Sequence, residues 1–350
     1  MQQVLFTNNV AEALATIAGG KQYNRVFVLV DENTATAVLP QVQCEVVDKA
    51  TVITIPAGDT HKTLDTLTHV WQQLQDGGAT RHSLLINLGG GVVTDLGGMA
   101  AATFKRGIDF VNCPTTLLSA VDAAVGGKTG INFNGFKNEL GVFQEAQAVV
   151  ISTKFFATLP ATELRSGYAE MLKHGMLDSQ DEFNRLLAFN ITEASLDELL
   201  ALLETSVKVK LRIVEQDPHE KGLRRALNLG HTVGHAFESM ALHQGKPVPH
   251  GYAVAWGLVA ETVLSHMKMK FASSDLQALA TFVRNNYGAF FITCDDYPLL
   301  LDYMHHDKKS VSGEINCSLL RACGDVETGI TVTDDDMKTA LDIYRDLMGI

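Results

Sequence analysis

The sequence predicts a two-domain protein, an α/β N-terminal domain followed by a mostly α-helical C-terminal one. Three observations lead there. The chain has 350 residues, more than one ordinary hydrophobic core organises. Its first part alternates near-continuous apolar runs with helical patterns, as in a parallel sheet covered on both faces. From about residue 155 strand signals thin out and long runs of helical period take over. The expected domains are therefore 1–155 and 156–350.

In chain order, RVFVLVD (25–31), ATVITIP (50–56), SLLINLGGG (83–91) and IDFVNCP (108–114) read as strands, each ending in turn or capping residues. Between the second and third, HKTLDTLTHVWQQLQDGG has amphipathic helical spacing and stops at Gly77 and Gly78. FFATLPATELRSGYAEMLKHGML, EASLDELLALLETSVKVKLRIVE and GYAVAWGLVAETVLSHMKM carry helical period. A late hairpin is expected in NCSLLRACGDVETGITVT, then a closing helix over 333–347. No repeat or low-complexity segment interrupts this order, and the site is expected in the cleft between the domains.

Composition narrows the function classes. With 46% hydrophobic and 19% charged residues, the chain has the make-up of a soluble globular protein. A net charge of −12 opposes nonspecific nucleic-acid binding, which needs a basic face. The five cysteines are odd in number and form no C-x-x-C, so they read as thiols in a reducing compartment. The N-terminus lacks the basic region and long apolar run of a signal peptide. No stretch of about 18 apolar residues suggests a membrane span. A soluble cytoplasmic protein is the expectation.

The densest chemistry lies in LNLGHTVGHAFE (227–238). His231 and His235 are four apart in a helical-looking segment and share a face, and His250 opens the next apolar helix. Converging histidines with a carboxylate hold a divalent transition metal, although H-x-x-x-H on an apolar helix also occurs as a plain core pair. In SGYAEMLKHG, Glu170 and Lys173 share a face as well. They are either an exposed ion pair or a carboxylate ligand with a lysine in the same pocket, and His174 is a competing ligand.

LGGGVVTDLGG (88–98) follows a strand and opens a helix, which suits close approach of a phosphate but equally a sharp turn. Asp31, ending the first strand, either accepts from a ribose hydroxyl or caps a helix. PTTLLSAVDAAVGGKTG adds Thr115, Thr116, Asp122 and Lys128. Cations are sparse, yet Arg106, Lys128, Lys137, Lys173, Lys210, Arg224 and Lys308 fall inside apolar or glycine-rich motifs. As a set they suit a ligand carrying phosphate and carboxylate.

Taken together, GGGVVTDLGG, RG-x-x-F-x-x-x-PTTLL-x-x-VDA-x-VGGKTGIN, GFKN-x-LG, GYAEM-x-KHG, LNLGHT-x-GHA-x-E and HG-x-AVA-x-G resemble the 3-dehydroquinate synthase family of sugar-phosphate cyclases. They occur in that family's order and approximate spacing from about residue 25 to the C-terminus. The resemblance implies a Rossmann-like NAD-binding α/β domain followed by a helical metal-binding domain. It implies a metal, zinc or cobalt, on Glu170, His231 and His250, with His235 a substrate-site residue. NAD falls to Asp31, Asn33, Asp59, Lys62, the turn Gly89, Gly90 and Gly91 with Val92 and Asp95, and Thr115, Thr116, Lys137 and Thr158. Similar proteins usually have Glu where this chain has Asp59, a shorter reach toward the ribose. Substrate anions fall to Lys128, Asn138, Lys210, Arg224, Asn228, His235 and Lys308, with Asp122 and Lys173 near the ring hydroxyls. The expected catalytic set is Lys128, Lys173, Asp122, Lys210, Asn228 and His235. Arg106 resembles a residue that reaches into a neighbouring subunit's site, which implies a homodimer.

The implied reaction cyclises 3-deoxy-D-arabino-heptulosonate 7-phosphate to 3-dehydroquinate and phosphate in the shikimate pathway. It proceeds by transient NAD-dependent oxidation, phosphate elimination, re-reduction and intramolecular aldol closure, and the departing phosphate can act as base for its own loss. The alternatives are a sister cyclase acting on sedoheptulose 7-phosphate or glucose 6-phosphate, a metal-dependent glycerol-type dehydrogenase, and a non-catalytic NAD sensor. Joint presence of Lys210, Arg224, Asn228, His235 and Lys308 favours the carboxylate-bearing heptulosonate.

Overall fold

The protein is described by a computed structural model covering residues 2–134, 136–306 and 314–350. These fall into two compact units. One runs to Pro160 and takes in Ser195–Val207, and the other comprises Ala161–Ala194 and Lys208–Ile350.

The first unit holds strands β1 (Gln3–Phe6), β2 (Arg25–Asp31), β3 (Thr51–Ile55), β4 (Ser83–Gly89), β5 (Asp109–Pro114), β6 (Lys128–Phe133), β7 (Phe136–Phe143) and β8 (Ala148–Ile151). Six of them form one parallel sheet in the order β1-β8-β5-β4-β2-β3. β2, β3, β4 and β5 lie where the apolar runs predict them. β1 and β8 are only four residues long, too short to display a period. Helices α1 (Val10–Gly19), α2 (Glu32–Ala37), α3 (Glu45–Asp48), α4 (Leu64–Asp76) and α5 (Gly91–Thr103) link the strands. Thr63 caps α4 by accepting from the Thr66 N–H, and the helix stops at Gly77 as expected. Phe27, Leu29, Leu67, Val70, Leu85, Leu96 and Phe110 are nearly inaccessible and form the core between sheet and helices.

The stretch after β5 does not continue as an ordinary helix. Ser119–Ala123 winds as a π-helical turn carrying Asp122. Gly126 and Gly127, at φ of 97° and 72°, then lead the chain into the antiparallel hairpin of β6 and β7, with Lys128 paired to Phe143. The hairpin was not predicted, because β7 is exposed along its whole length and carries no burial pattern.

The second part of the chain supplies α6 (Ala161–Asp178), α7 (Gln180–Ala188), α8 (Leu196–Gln216), α9 (His231–His243), α10 (His250–Met269), α11 (Ser273–Tyr287), α12 (Tyr297–His305) and α13 (Asp334–Met348). The hairpin of β9 (Ile315–Ala322) and β10 (Asp325–Val332) precedes α13, as the sequence suggests. Two helices start later than their periodicity implied. Leu159 is extended at ψ 137° before Pro160, so α6 begins only at Ala161. Gly230 adopts φ 79°, so α9 begins at His231 itself. α10 is the buried axle of the unit, apolar on nearly every face and packed by α6, α9, α11, α13 and β9. Among the described residues, no helix is long and apolar enough to cross a membrane.

Candidate active site

Three helices of the second unit bring the metal candidates together. α6 carries Glu170, α9 starts at His231, and α10 starts at His250. Their convergence needs backbone-to-backbone packing. A Cβ on Gly251 would sit 1.9 Å from the Ser166 carbonyl oxygen, and one on Gly257 only 2.0 Å from that of Gly230. The Gly251 N–H donates to Ser166 Oγ at 3.1 Å, fixing α10 against α6.

In that space the Nε2 atoms of His231 and His250 lie 3.3 and 3.5 Å from Glu170 Oε1. Lys173 Nζ pairs with Oε2 of the same carboxylate. The far sides of both rings are held. His231 Nδ1 is 3.1 Å from the Leu229 carbonyl oxygen, and His250 Nδ1 is 3.2 Å from Glu238 Oε2. A proton on each Nδ1 leaves an Nε2 lone pair aimed at the common point, which is how second partners orient histidine ligands. His235 joins the group with ring centroids 5.3 Å from His231 and 5.9 Å from His250. His174 is buried on α6, four residues after Glu170.

The electrostatics favour a cation there. Burial alone would push the Glu170 carboxyl up, but Lys173 and then His231 outweigh it and hold it well below the usual carboxylate range. Burial works to lower His250, yet hydrogen bonds to Glu170 and Glu238 prevail and raise it to about 10. Both Glu170 side-chain oxygens are inaccessible to solvent. One carboxylate and two oriented imidazoles, within 4.8 Å of one another, fit a divalent transition metal.

In the same unit, a loop carries Arg224. The Asp217 carboxylate accepts from the N–H groups of Lys221 (2.9 Å), Gly222 (2.7 Å) and Arg224 (3.1 Å). These bonds, led by that from Lys221, lower its pKa. Arg224 is 2% exposed and donates from Nη1 to the Pro218 carbonyl oxygen at 2.7 Å. Asn228 donates to Glu220 Oε1 at 2.9 Å, and Lys210 is buried on α8. Lys308 lies outside the described residues.

The first unit gathers a second set. β4 ends at Gly89 and α5 begins at Gly91 with no side chain capping its N-terminus. A Cβ on Gly89 would lie 2.4 Å from Val93 Cγ2, so the turn tolerates no side chain there. The N–H of Thr115 donates to the Gly89 carbonyl oxygen (2.9 Å), and Thr116 Oγ1 accepts from Ser119 N–H (3.1 Å). Half-buried Val92 stands in the first turn of α5. First-turn N–H groups without a side-chain cap, together with the helix dipole, make this an anion-accepting corner.

Lys62 is 4% exposed and pairs with Asp95 Oδ2 (2.5 Å) and with Asn138 Oδ1. Asp59 accepts from Asn132 Nδ2 at 3.2 Å and faces Lys137 Nζ at 3.6 Å. Asn138, expected at the substrate, is thus held by Lys62, expected at NAD. Asp31 caps α2, accepting from the Thr34 N–H at 2.7 Å. Asn33, Thr158, Lys128 and Arg106 are exposed. Lys105 and Arg106 both hold positive φ, 51° and 68°, a strained backbone that bulky residues rarely adopt.

Sequence reasoning passed over three residues of this machinery. Glu238 and Ser166 sit inside recognised motifs without a stated role. Glu261 is a single acid in the apolar run AVAWGLVAETVL, a signal that could have found it.

Comparisons with known proteins agree with this layout. Family models described as 3-dehydroquinate synthase N-terminal and 3-dehydroquinate synthase C-terminal match residues 52–166 and 167–310. The 3-dehydroquinate synthase of Parabacteroides distasonis is 44% identical over 350 residues, 100% of this chain and 99% of that protein. Among solved structures, the 2-epi-5-epi-valiolone synthase ValA of Streptomyces hygroscopicus, with NAD+ and Zn2+ bound, superposes with a TM-score of 0.82 at 25% identity. It covers 99% of this chain and 97% of its own. A 2-deoxy-scyllo-inosose synthase complexed with carbaglucose-6-phosphate, NAD+ and Co2+ has a TM-score of 0.83 at 21% identity, covering 98% and 96%. With its sequence matched end to end and both halves recognised, the chain belongs to the 3-dehydroquinate synthase family.

Proposed function

We propose that the protein is an enzyme converting 3-deoxy-D-arabino-heptulosonate 7-phosphate to 3-dehydroquinate and inorganic phosphate, a step of the shikimate pathway. The observation that carries this reading is the convergence of Glu170, His231 and His250, each imidazole held from behind. Zinc or cobalt suits this N/O donor set, and NAD suits the glycine turn at the start of α5. When bound, the ion supplies Lewis acidity to adjacent hydroxyls and NAD a reversible two-electron partner, so net redox over a turnover is zero.

The chain's own residues bind, orient and neutralise. Gly89, Gly90, Gly91 and Val92 offer N–H groups to a pyrophosphate. Asp31, Asn33, Asp59, Lys62, Asp95, Thr115, Thr116, Lys137 and Thr158 take the rest of the dinucleotide. Lys128, Asn138, Lys210, Arg224, Asn228, His235 and Lys308 meet the substrate's phosphate and carboxylate. Cations near the departing phosphate stabilise the charge it gains. Lys173 and Asp122 attend the ring hydroxyls.

The working assembly is a homodimer with Arg106 acting across the interface. Two features support it, the strained exposed loop at Lys105 and Arg106, and the exposed aromatic side chains of the β6–β7 hairpin. There Phe136 and Phe143 are 62% and 50% exposed.

The deciding experiment supplies the purified protein with zinc, NAD and the heptulosonate phosphate. Phosphate should appear without lasting absorbance of NADH. Stoichiometric NADH accumulation would instead mark a dehydrogenase.

A further inference from the structure

We infer that Glu261 is a positioning residue for the metal centre, a carboxylate delivered from α10 that clamps the start of α9 and sets the orientation and basicity of His231. The inference rests on the reading of Glu170, His231 and His250 as metal ligands and adds a residue outside that set.

The argument begins with a missing cap. The opening N–H groups of a helix need acceptors, normally a Ser, Thr, Asp or Asn side chain just before it. α9 has Gly230 at that place, which has no side chain to offer. Glu261 fills the role from another helix. Its Oε2 accepts from the Gly230 N–H at 2.7 Å and its Oε1 from the Val233 N–H at 3.0 Å. The residue is 0% exposed. A buried carboxylate is costly in an apolar helix, and here two backbone donors and the positive end of the α9 dipole offset that cost.

These bonds bear on the metal centre through one peptide group. The Gly230 N–H that donates to Glu261 and the Leu229 carbonyl that accepts from His231 Nδ1 belong to the same planar amide. Glu261 therefore holds that plane in place and, by pulling on its N–H, makes the carbonyl a stronger acceptor. A stronger acceptor at Nδ1 fixes the tautomer and enriches the Nε2 lone pair that faces Glu170. Glu261 also lies eleven residues, about three helical turns, after His250 on α10. One face of α10 thus presents one imidazole and locks the helix that presents the other.

The test is zinc affinity, read by competition with a chromophoric chelator, together with the visible spectrum of the cobalt-loaded protein. Glu261→Gln keeps the size but turns an acceptor into a donor facing an N–H. It should weaken zinc binding by about 10- to 100-fold, the usual range for outer partners of ligands. It should also shift the cobalt bands. Thr333→Ala, which removes the cap of another helix, α13, and touches neither Glu261 nor the start of α9, should leave both readouts unchanged. Should Glu261→Gln fail to fold, Glu261→Asp decides, since it keeps the charge but withdraws it by one methylene, and an intermediate loss is expected. Zinc affinity within twofold of the unchanged protein in a folded Glu261 variant, or equal loss in Thr333→Ala, would overturn the inference. His231→Ala separates the two levels. If it loses zinc while Glu261→Gln does not, only the role of Glu261 falls. If His231→Ala keeps zinc, the ligand assignment falls with it.

Discussion

At the scale of single residues, Glu170 decides which histidines matter. His231, His235 and His250 form one cluster of rings, but the Nε2 atoms of His231 and His250 are the ones paired with Glu170 Oε1. His250→Ala should therefore bind no stoichiometric zinc, whereas His174→Ala should keep full occupancy, as measured by elemental analysis of folded protein. Arg224 poses a different question, because its guanidinium is nearly inaccessible and already donates to Pro218. A cation built to meet a carboxylate is left unsatisfied by a neutral analogue, at a cost of about 2–5 kcal/mol. The heptulosonate phosphate should be turned over well and sedoheptulose 7-phosphate poorly. Arg224→Ala should cut kcat/KM for the first by roughly 30-fold or more, with little effect on the second. A ratio of rates is the proper readout, since a general loss of stability would lower both.

At the scale of elements, ligand geometry is a property of helix packing. Gly251 lets α10 touch the backbone of α6, and no side chain could move aside, because the obstructing atom is the Ser166 carbonyl. Gly251→Ala should cost about 1–3 kcal/mol by overpacking, and chelator competition should find weaker zinc binding in the folded fraction. The 217–224 loop depends on charge instead. The Asp217 carboxylate has a lowered pKa because it accepts backbone bonds, first from Lys221 and Gly222. A depressed carboxyl contributes stability above its unfolded value, near 3.8, and loses it as pH falls through the native value. Hydrogen exchange at the Lys221, Gly222 and Arg224 amides should thus stay protected at neutral pH and open in strong acid. Asp217→Asn should show that opening at pH 7 and raise KM for the heptulosonate.

At the scale of the whole molecule, the question is whether one chain suffices. Arg106 is exposed on a strained loop, and the β6–β7 hairpin of the first unit exposes Phe136 and Phe143 to solvent. If Arg106 completes a neighbour's site, mixing inactive Arg106→Ala with inactive Lys128→Ala should restore activity, approaching one working site per mixed dimer. Subunit exchange that restores none would argue for a self-contained site, and sedimentation would report whether a dimer exists at all.

The sequence by itself determined the class of each half. Apolar runs at strand length with helices between them specify a parallel sheet, and long helical periods specify the second part, because burial of a face is written locally in residue spacing. It also contained the chemical inventory, since the family's motifs name Glu170, His231 and His250 without coordinates. What only tertiary structure decided was which groups face each other. The four-residue strands β1 and β8 are strands through their partners, not through a period of their own. Asn138 meets Lys62 across residues far apart in sequence, and Glu261 reaches the start of α9 from three turns into α10. Periodicity says that a position is buried, but not against what. A lone acid in an apolar helix announces a partner, and only the packing of α9 on α10 identifies it as the peptide that holds His231.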